Sequence, residues 1–188
     1  MASTDVEVAA AALVRLGAKS ISSFSDGSTE ATVANDLYEK TVAGLLSSFP
    51  WRFAVNLKEL NRDASTPAAK WDYAFQLPTD LLVLRGLTRS ERDIPYDRYG
   101  AKVFCNQDDD VIAEYVFRAS TATWPGYFVQ AAVLSCAEAF AIPVTQHAGV
   151  LAEAQMAAAI NIADARRIDS QSQTTRRLVG TRLAGSRR

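Results

Sequence analysis

Chemistry in this chain would have to come from few side chains. The candidates are one histidine, His147, two cysteines, Cys105 and Cys136, a run of three aspartates, Asp108-Asp109-Asp110, and two acids set singly in apolar runs, Glu114 and Glu138. A histidine acting as a general base needs a nucleophile to deprotonate or a carboxylate to orient it. Gln146 and Ala148 flank His147 and offer neither, so it reads as a surface or cap residue. One histidine and two distant cysteines cannot complete a structural zinc site. Adjacent carboxylates can meet a hard cation, but an EF-hand spreads its ligands over a longer loop and needs a glycine and a closing glutamate. The aspartate run has neither, and aspartate favours turns, so it reads as a solvated turn between strands. Glu114 reads as a solvent-face strand residue. Glu138 reads as an acid with an inter-subunit or intrahelical partner. A buried catalytic acid is the competing role for either. The sequence has no glycine-rich phosphate loop and no Gly-x-Ser-x-Gly elbow. The expectation is a chain without catalytic residues, metal ligands or cofactor-binding residues, hence not an enzyme.

The elements that hold these groups follow from periodicity. Ser3 or Thr4 is a candidate N-cap, with Asp5 and Glu7 favourable at the positive end of the helix that follows. Val6, Ala9, Ala10 and Leu13 recur at helical spacing, and Gly17 suits a left-handed stop. A second helix is expected from Ser28 or Thr29, with Ala34, Leu37, Tyr38, Thr41, Leu45 and Phe49 on one face and Pro50 at its end. The period then changes to two. Phe53, Val55 and Leu57 alternate with polar or small neighbours, as do Trp71, Tyr73, Phe75 and Leu77. Residues 81–87, 103–105 and 111–117 also read as strands, with 106–110 as the turn between the last two. Helical spacing returns at Trp124, with Pro125 in the first turn. Residues 127–142 are apolar nearly all round, which predicts a buried helix stopped by Pro143 and too short to span a membrane. Thr145 can cap a long last helix. Leu151, Ala154, Ala158, Ile162 and Ala165 are expected inside, and Asp164, Arg166 and Arg167 outside. Trp51, Trp71 and Trp124 fall at the expected helix–sheet junctions and read as core anchors or as interface aromatics.

The predicted fold class is α+β. Residues 1–50 and 124–169 form a four-helix bundle. Residues 51–123 form an inserted small antiparallel β-sheet or open barrel, and residues 170–188 form a flexible basic C-terminal tail.

The chain has 188 residues, enough to bury a core without disulfides, so both cysteines are expected as free thiols. The start lacks a positive stretch followed by an apolar run and does not read as a signal peptide, which places folding in the cytoplasm. Formal net charge is only −1, but it is uneven. Five arginines and no acids follow Asp169, so residues 1–169 carry 15 basic against 21 acidic side chains. A basic end can bind nucleic acid through phosphates, although this one has no aromatic residue for stacking on bases. It can also order itself on a protein partner, or remain unpaired.

The order of segments resembles the head–tail adaptor and tail tubular protein A family of tailed bacteriophages. The resemblance covers nearly the whole chain. It rests on Leu13-Val14-Arg15-Leu16-Gly17 with Ile21-Ser22-Ser23-Phe24-Ser25-Asp26 after it, and on the helix containing Ala34, Tyr38 and Leu45. It continues through Phe49-Pro50-Trp51-Arg52-Phe53-Ala54, then Trp71-Asp72-Tyr73-Ala74-Phe75-Gln76-Leu77-Pro78 with Asp80-Leu81-Leu82. Tyr115-Val116, Trp124-Pro125 and Phe128 complete it. The resemblance implies a virion neck protein, assembled in the host cytoplasm, that forms a ring of itself, a dodecamer, beneath a dodecameric portal protein. A tail, nozzle or next neck protein would dock on the far side. DNA would pass through the channel without specific binding, and no membrane would be involved. By position it implies portal contact for Arg176, Arg177, Leu178, Val179, Arg182, Leu183, Arg187 and Arg188. The competing readings are a nucleic-acid-binding accessory protein using the basic tail, a small enzyme with acids in the β region, and another virion or tail-completion protein.

Overall fold

The computed structural model describes residues 3–64, 67 and 70–172. Two helices come first, α1 (Asp5–Arg15) and α2 (Thr29–Ser47). A short 3-10 turn (Arg52–Ala54) leads into the strands β1 (Val55–Glu59), β2 (Tyr73–Gln76), β3 (Leu81–Arg89), β4 (Arg92–Asp93), β5 (Asp97–Tyr99), β6 (Lys102–Cys105) and β7 (Ile112–Phe117). A second 3-10 turn (Thr121–Thr123) precedes α3 (Gly126–Thr145) and α4 (Ala148–Ser170). Over the described residues the fold is therefore mixed α+β, with four helices and two small antiparallel sheets.

Local chemistry sets the helix ends. The Thr4 hydroxyl accepts from the Glu7 amide while the Glu7 carboxylate accepts from the Thr4 amide, a complete capping box. At the other end Gly17 takes φ 72°, and Ala18 donates its N–H to Leu13 carbonyl at 3.0 Å. That is the left-handed stop expected from the sequence. The inner face of α1 is turned from the expected stripe. Val8, Ala9, Ala12 and Leu13 are the buried residues, while Val6 and Ala10 are half-buried.

α3 is the hub. α1, α2 and α4 all pack on it, which is why its residues are apolar on every side. Pro143 does not stop this helix, contrary to expectation. Proline removes the N–H that would bond Ala139 carbonyl, and the helix runs only two residues past it. The helix ends two residues later at Thr145, and its cap Gln146 adopts φ 56° and donates to Ile142 carbonyl at 3.0 Å. At 20 residues α3 has the length and apolarity to cross a membrane, against the expectation that it is too short, yet its flanks are covered by the other helices. Thr145 belongs to α3 and bonds Ala141 carbonyl, so it does not cap α4. His147 occupies that N-cap position.

The β region is not one sheet but two. The first has the order β1-β7-β3-β4 and the second β2-β6-β5. The first and last strands of the region, β1 and β7, are paired, with Val55 opposite Val116. The chain thus leaves α2 and re-enters α3 at neighbouring points, as an insertion requires. Val55, Val116 and Phe117 pack into the helical core. A second core of Leu60, Phe75, Leu77, Leu87, Val103, Cys105, Val111, Ala113 and Tyr115 lies between the sheets, and Phe117 touches both cores. β1 is an edge strand, so Leu57 is exposed rather than turned inward with Val55.

Candidate functional site

The residues singled out for chemistry remain apart. His147 is exposed at the start of α4 and its side chain makes no capping bond. Cys105 and Cys136 are both fully buried and unpaired, in different cores. Burial pushes the Cys136 thiol up to about 12. Asp108 and Asp109 face Arg89 at the end of β3. Glu114 pairs with Arg85 across β3 and β7. Among the described residues no group of three histidine, cysteine or acidic side chains is placed to hold a metal ion.

The tryptophans divide. Trp51 and Trp124 both stand edge-on to Phe128, with ring centroids 4.9 and 4.8 Å away, and Phe53 approaches the same ring at 4.7 Å. Their indole N–H groups are satisfied by Leu45 carbonyl at 3.0 Å and Ala119 carbonyl at 3.1 Å. This cluster sits where α2, α3 and the two ends of the β region meet. Trp71 is elsewhere, half-buried before β2, where it donates to Asp97 of β5 at 2.9 Å. Lys70 joins the same carboxylate. The Lys70 and Trp71 bonds hold the Asp97 carboxyl below its usual range.

Two acids, Asp169 buried and Asp5 about half exposed, tie distant parts of the chain together, a role not expected for either. Asp169, fully buried near the end of α4, accepts the Arg52 amide N–H at 3.1 Å and the Tyr127 hydroxyl at 2.7 Å. It thereby caps the 3-10 turn that opens the β region. Asp5, at the start of α1, accepts the Tyr38 hydroxyl at 2.8 Å and the Thr121 hydroxyl. Arg118 grips Glu39 with two bonds of 2.8 and 2.9 Å and lies 3.6 Å from Asp5. Burial and the bond to a carboxylate together raise both the Tyr38 and Tyr127 phenols well above the ordinary tyrosine value. These hydroxyls are therefore fixed donors rather than bases or nucleophiles. An open cleft of about 510 Å³ lies over the Asp5–Arg118 group. No local pattern marks either site, because Asp169 and Arg52 are 117 positions apart.

Two surfaces of α4 stand out. Its outer side is apolar: Ala152, Met156, Ala159, Ile160 and Ala163 share one exposed face, with Met156 at 68% and Ile160 at 62% of full exposure. Its inner edge borders a groove of about 420 Å³ between α2, α3 and α4. Arg166, expected on the solvent side, is half-buried in this groove. It lies over the Phe49 ring and donates to the Ser48 hydroxyl at 3.1 Å, because a long arginine stem gains by covering apolar surface. Glu138 lines the same groove and has no hydrogen-bond or ion-pair partner among the described residues. The eight residues from Arg176 to Arg188 expected at a portal lie outside the described residues.

A scan against protein-family models and a search of curated protein sequences both return no match to this chain.

Proposed function

We propose that this chain is a structural virion protein, the head-to-tail adaptor of a tailed bacteriophage, forming a ring under the portal around the DNA channel. In this reading the helical layer is a four-helix bundle interrupted by the β region, and the residues after α4 are the portal-seeking end. The observation that carries the reading is the outer face of α4. A helix already packed through one apolar side carries a second apolar stripe in solvent. Exposed apolar stripes of this kind mark protein partners. Three alanines in the stripe allow close helix approach, which suits repeated contact between identical subunits. The layout supports the same reading, with two helices, an insertion that returns to its starting point, two helices and a basic end. The acidic body also suits a channel wall that repels DNA.

Light scattering on the protein alone and mixed with the portal ring tests this. A stoichiometric ring on the portal is expected. Met156→Glu combined with Ile160→Glu should abolish that ring while leaving the unfolding temperature within a few degrees, since both side chains are exposed. A protein that stays monomeric beside the portal, and binds DNA with strong salt dependence instead, would point to the accessory-protein reading.

A further inference from the structure

We infer that the groove between α2, α3 and α4 is the docking site of the chain's own C-terminal segment, residues 176–183, in the free subunit. The groove is built for a polypeptide and is unfilled by the described residues. Its walls are apolar, with Leu45, Leu151 and Ile162, but some of its polar groups lack partners among the described residues. Ser135 Oγ and Arg166 Nε are the buried side-chain polar atoms that lack a hydrogen-bond partner among the described residues, and both residues line this one groove. Ser135 is only 8% exposed. Buried polar atoms without partners are rare and call for a missing one. Arg166 Nε–H needs an acceptor, and the unpaired carboxylate of Glu138 needs a donor or a cation. An extended peptide supplies carbonyls, amides and charged side chains together.

The C-terminal segment has the matching chemistry. It carries Leu178, Val179 and Leu183 for the walls and Arg176, Arg177 and Arg182 for Glu138, with no acid to oppose them. It also starts in the right place. α4 ends at Ser170, about one turn beyond Arg166, so the chain emerges at the mouth of the groove. From Ser170 back to Leu151 is about 28 Å along α4 at 1.5 Å per residue, which an extended stretch of about nine residues covers. Tethering raises the segment's effective concentration to about the millimolar range, so weak contacts suffice. The groove does not depend on the adaptor reading. Whatever the basic end binds, it must first leave this groove, which makes its exposure conditional on a competing partner.

The test uses the full chain with a nitroxide on Ala184→Cys, the native cysteines being buried. Methyl signals of Leu151 and Ile162 should broaden, while those of Leu84 and Val103 in the β region should not. The broadening should persist on dilution. Glu138→Gln should cut the docked-to-free ratio by up to about fivefold, the range of one partly exposed ion pair. Absence of groove broadening overturns the proposal. So does broadening that appears only between labelled and isotope-enriched copies, which would assign the groove to a second subunit. Equal broadening in Glu138→Gln would overturn the part given to the carboxylate.

Discussion

In the helical layer two acids, one fully buried and one about half exposed, are each shared by groups far apart in sequence. Asp169 holds Tyr127 and Arg52, and Asp5 holds Tyr38 and Thr121. In the β region the acids are partly or largely exposed and pair with lysine or arginine. Lys70 pairs with Asp97, Arg85 with Glu114, Arg89 with Asp109 and Lys102 with Asp63. The cores differ in the same way. The helical core centres on a five-ring aromatic contact from Phe49 to Trp124, whereas the sheets enclose a smaller core of mostly aliphatic residues with Phe75 and Tyr115. Polar groups in the helical layer fix one arrangement of distant segments. Those in the β region decorate sheets that pleat and register already define. The cost of losing a contact should therefore fall steeply from the first region to the second.

The sharpest cut is Phe128→Ala. Phe128 is fully buried and touches Trp51, Phe53 and Trp124, which join α2, α3 and the β region. Removing it should cost about 4 kcal/mol in chemical denaturation. A loss below about 1 kcal/mol would mean the aromatic cluster is not what joins the two regions, and the comparison would fail.

Next comes Asp169. Asp169→Ala strands the Tyr127 hydroxyl and the Arg52 amide, and should cost about 2–3 kcal/mol, the range for hydrogen bonds to a charged acceptor. The same contact has a pH signature. In the unfolded chain a tyrosine ionises near 10, while burial and Asp169 raise Tyr127 above that in the fold. The folded chain keeps the proton that the unfolded chain gives up. The contribution is thus complete below about pH 10 and is lost as pH climbs toward the folded value. Phenolate absorbance should show Tyr127 ionising late in the native protein and closer to the ordinary value in Asp169→Asn. Unchanged late ionisation in that variant would assign the shift to burial alone.

How much of this was legible in the sequence follows the range of each interaction. Period and capping are local, so α1, α2, the long strands and the Gly17 stop could be read directly. The strands β4 and β5 could not. β4 has two residues, and the turn before it is Ser90-Glu91, both left-handed at φ 48° and 64°, without the glycine or asparagine that announces such hairpins. Two sheets looked like one because strand pairing depends on topology, and β2 chooses β6 rather than its neighbours in sequence. Pro143 marks the end of α3 only to within a turn, because two helical residues still follow it. Arg166 was expected on the solvent side of α4 and Asp169 had no expected role, and only tertiary packing turns them inward.

Arg89→Ala probes the other side of the comparison, where the effect should be smallest. Arg89 reaches Gln107 and Asp109 and lies 3.5 Å from Asp108, so on paper it holds the whole β6–β7 turn. Asp108 and Asp109 are more than half exposed and Arg89 is a third exposed. Water already satisfies these groups, salt screens them, and ordering a long side chain costs entropy. The strands flanking the turn keep their own pairings, β6 with β2 and β5 and β7 with β1 and β3, including Thr88 of β3 opposite Ile112. The loss should be at most about 1 kcal/mol and should shrink further as ionic strength rises. A salt-insensitive loss as large as that of Asp169→Ala would place a structural ion network in the β region. The contrast between the two halves would then rest on core size alone.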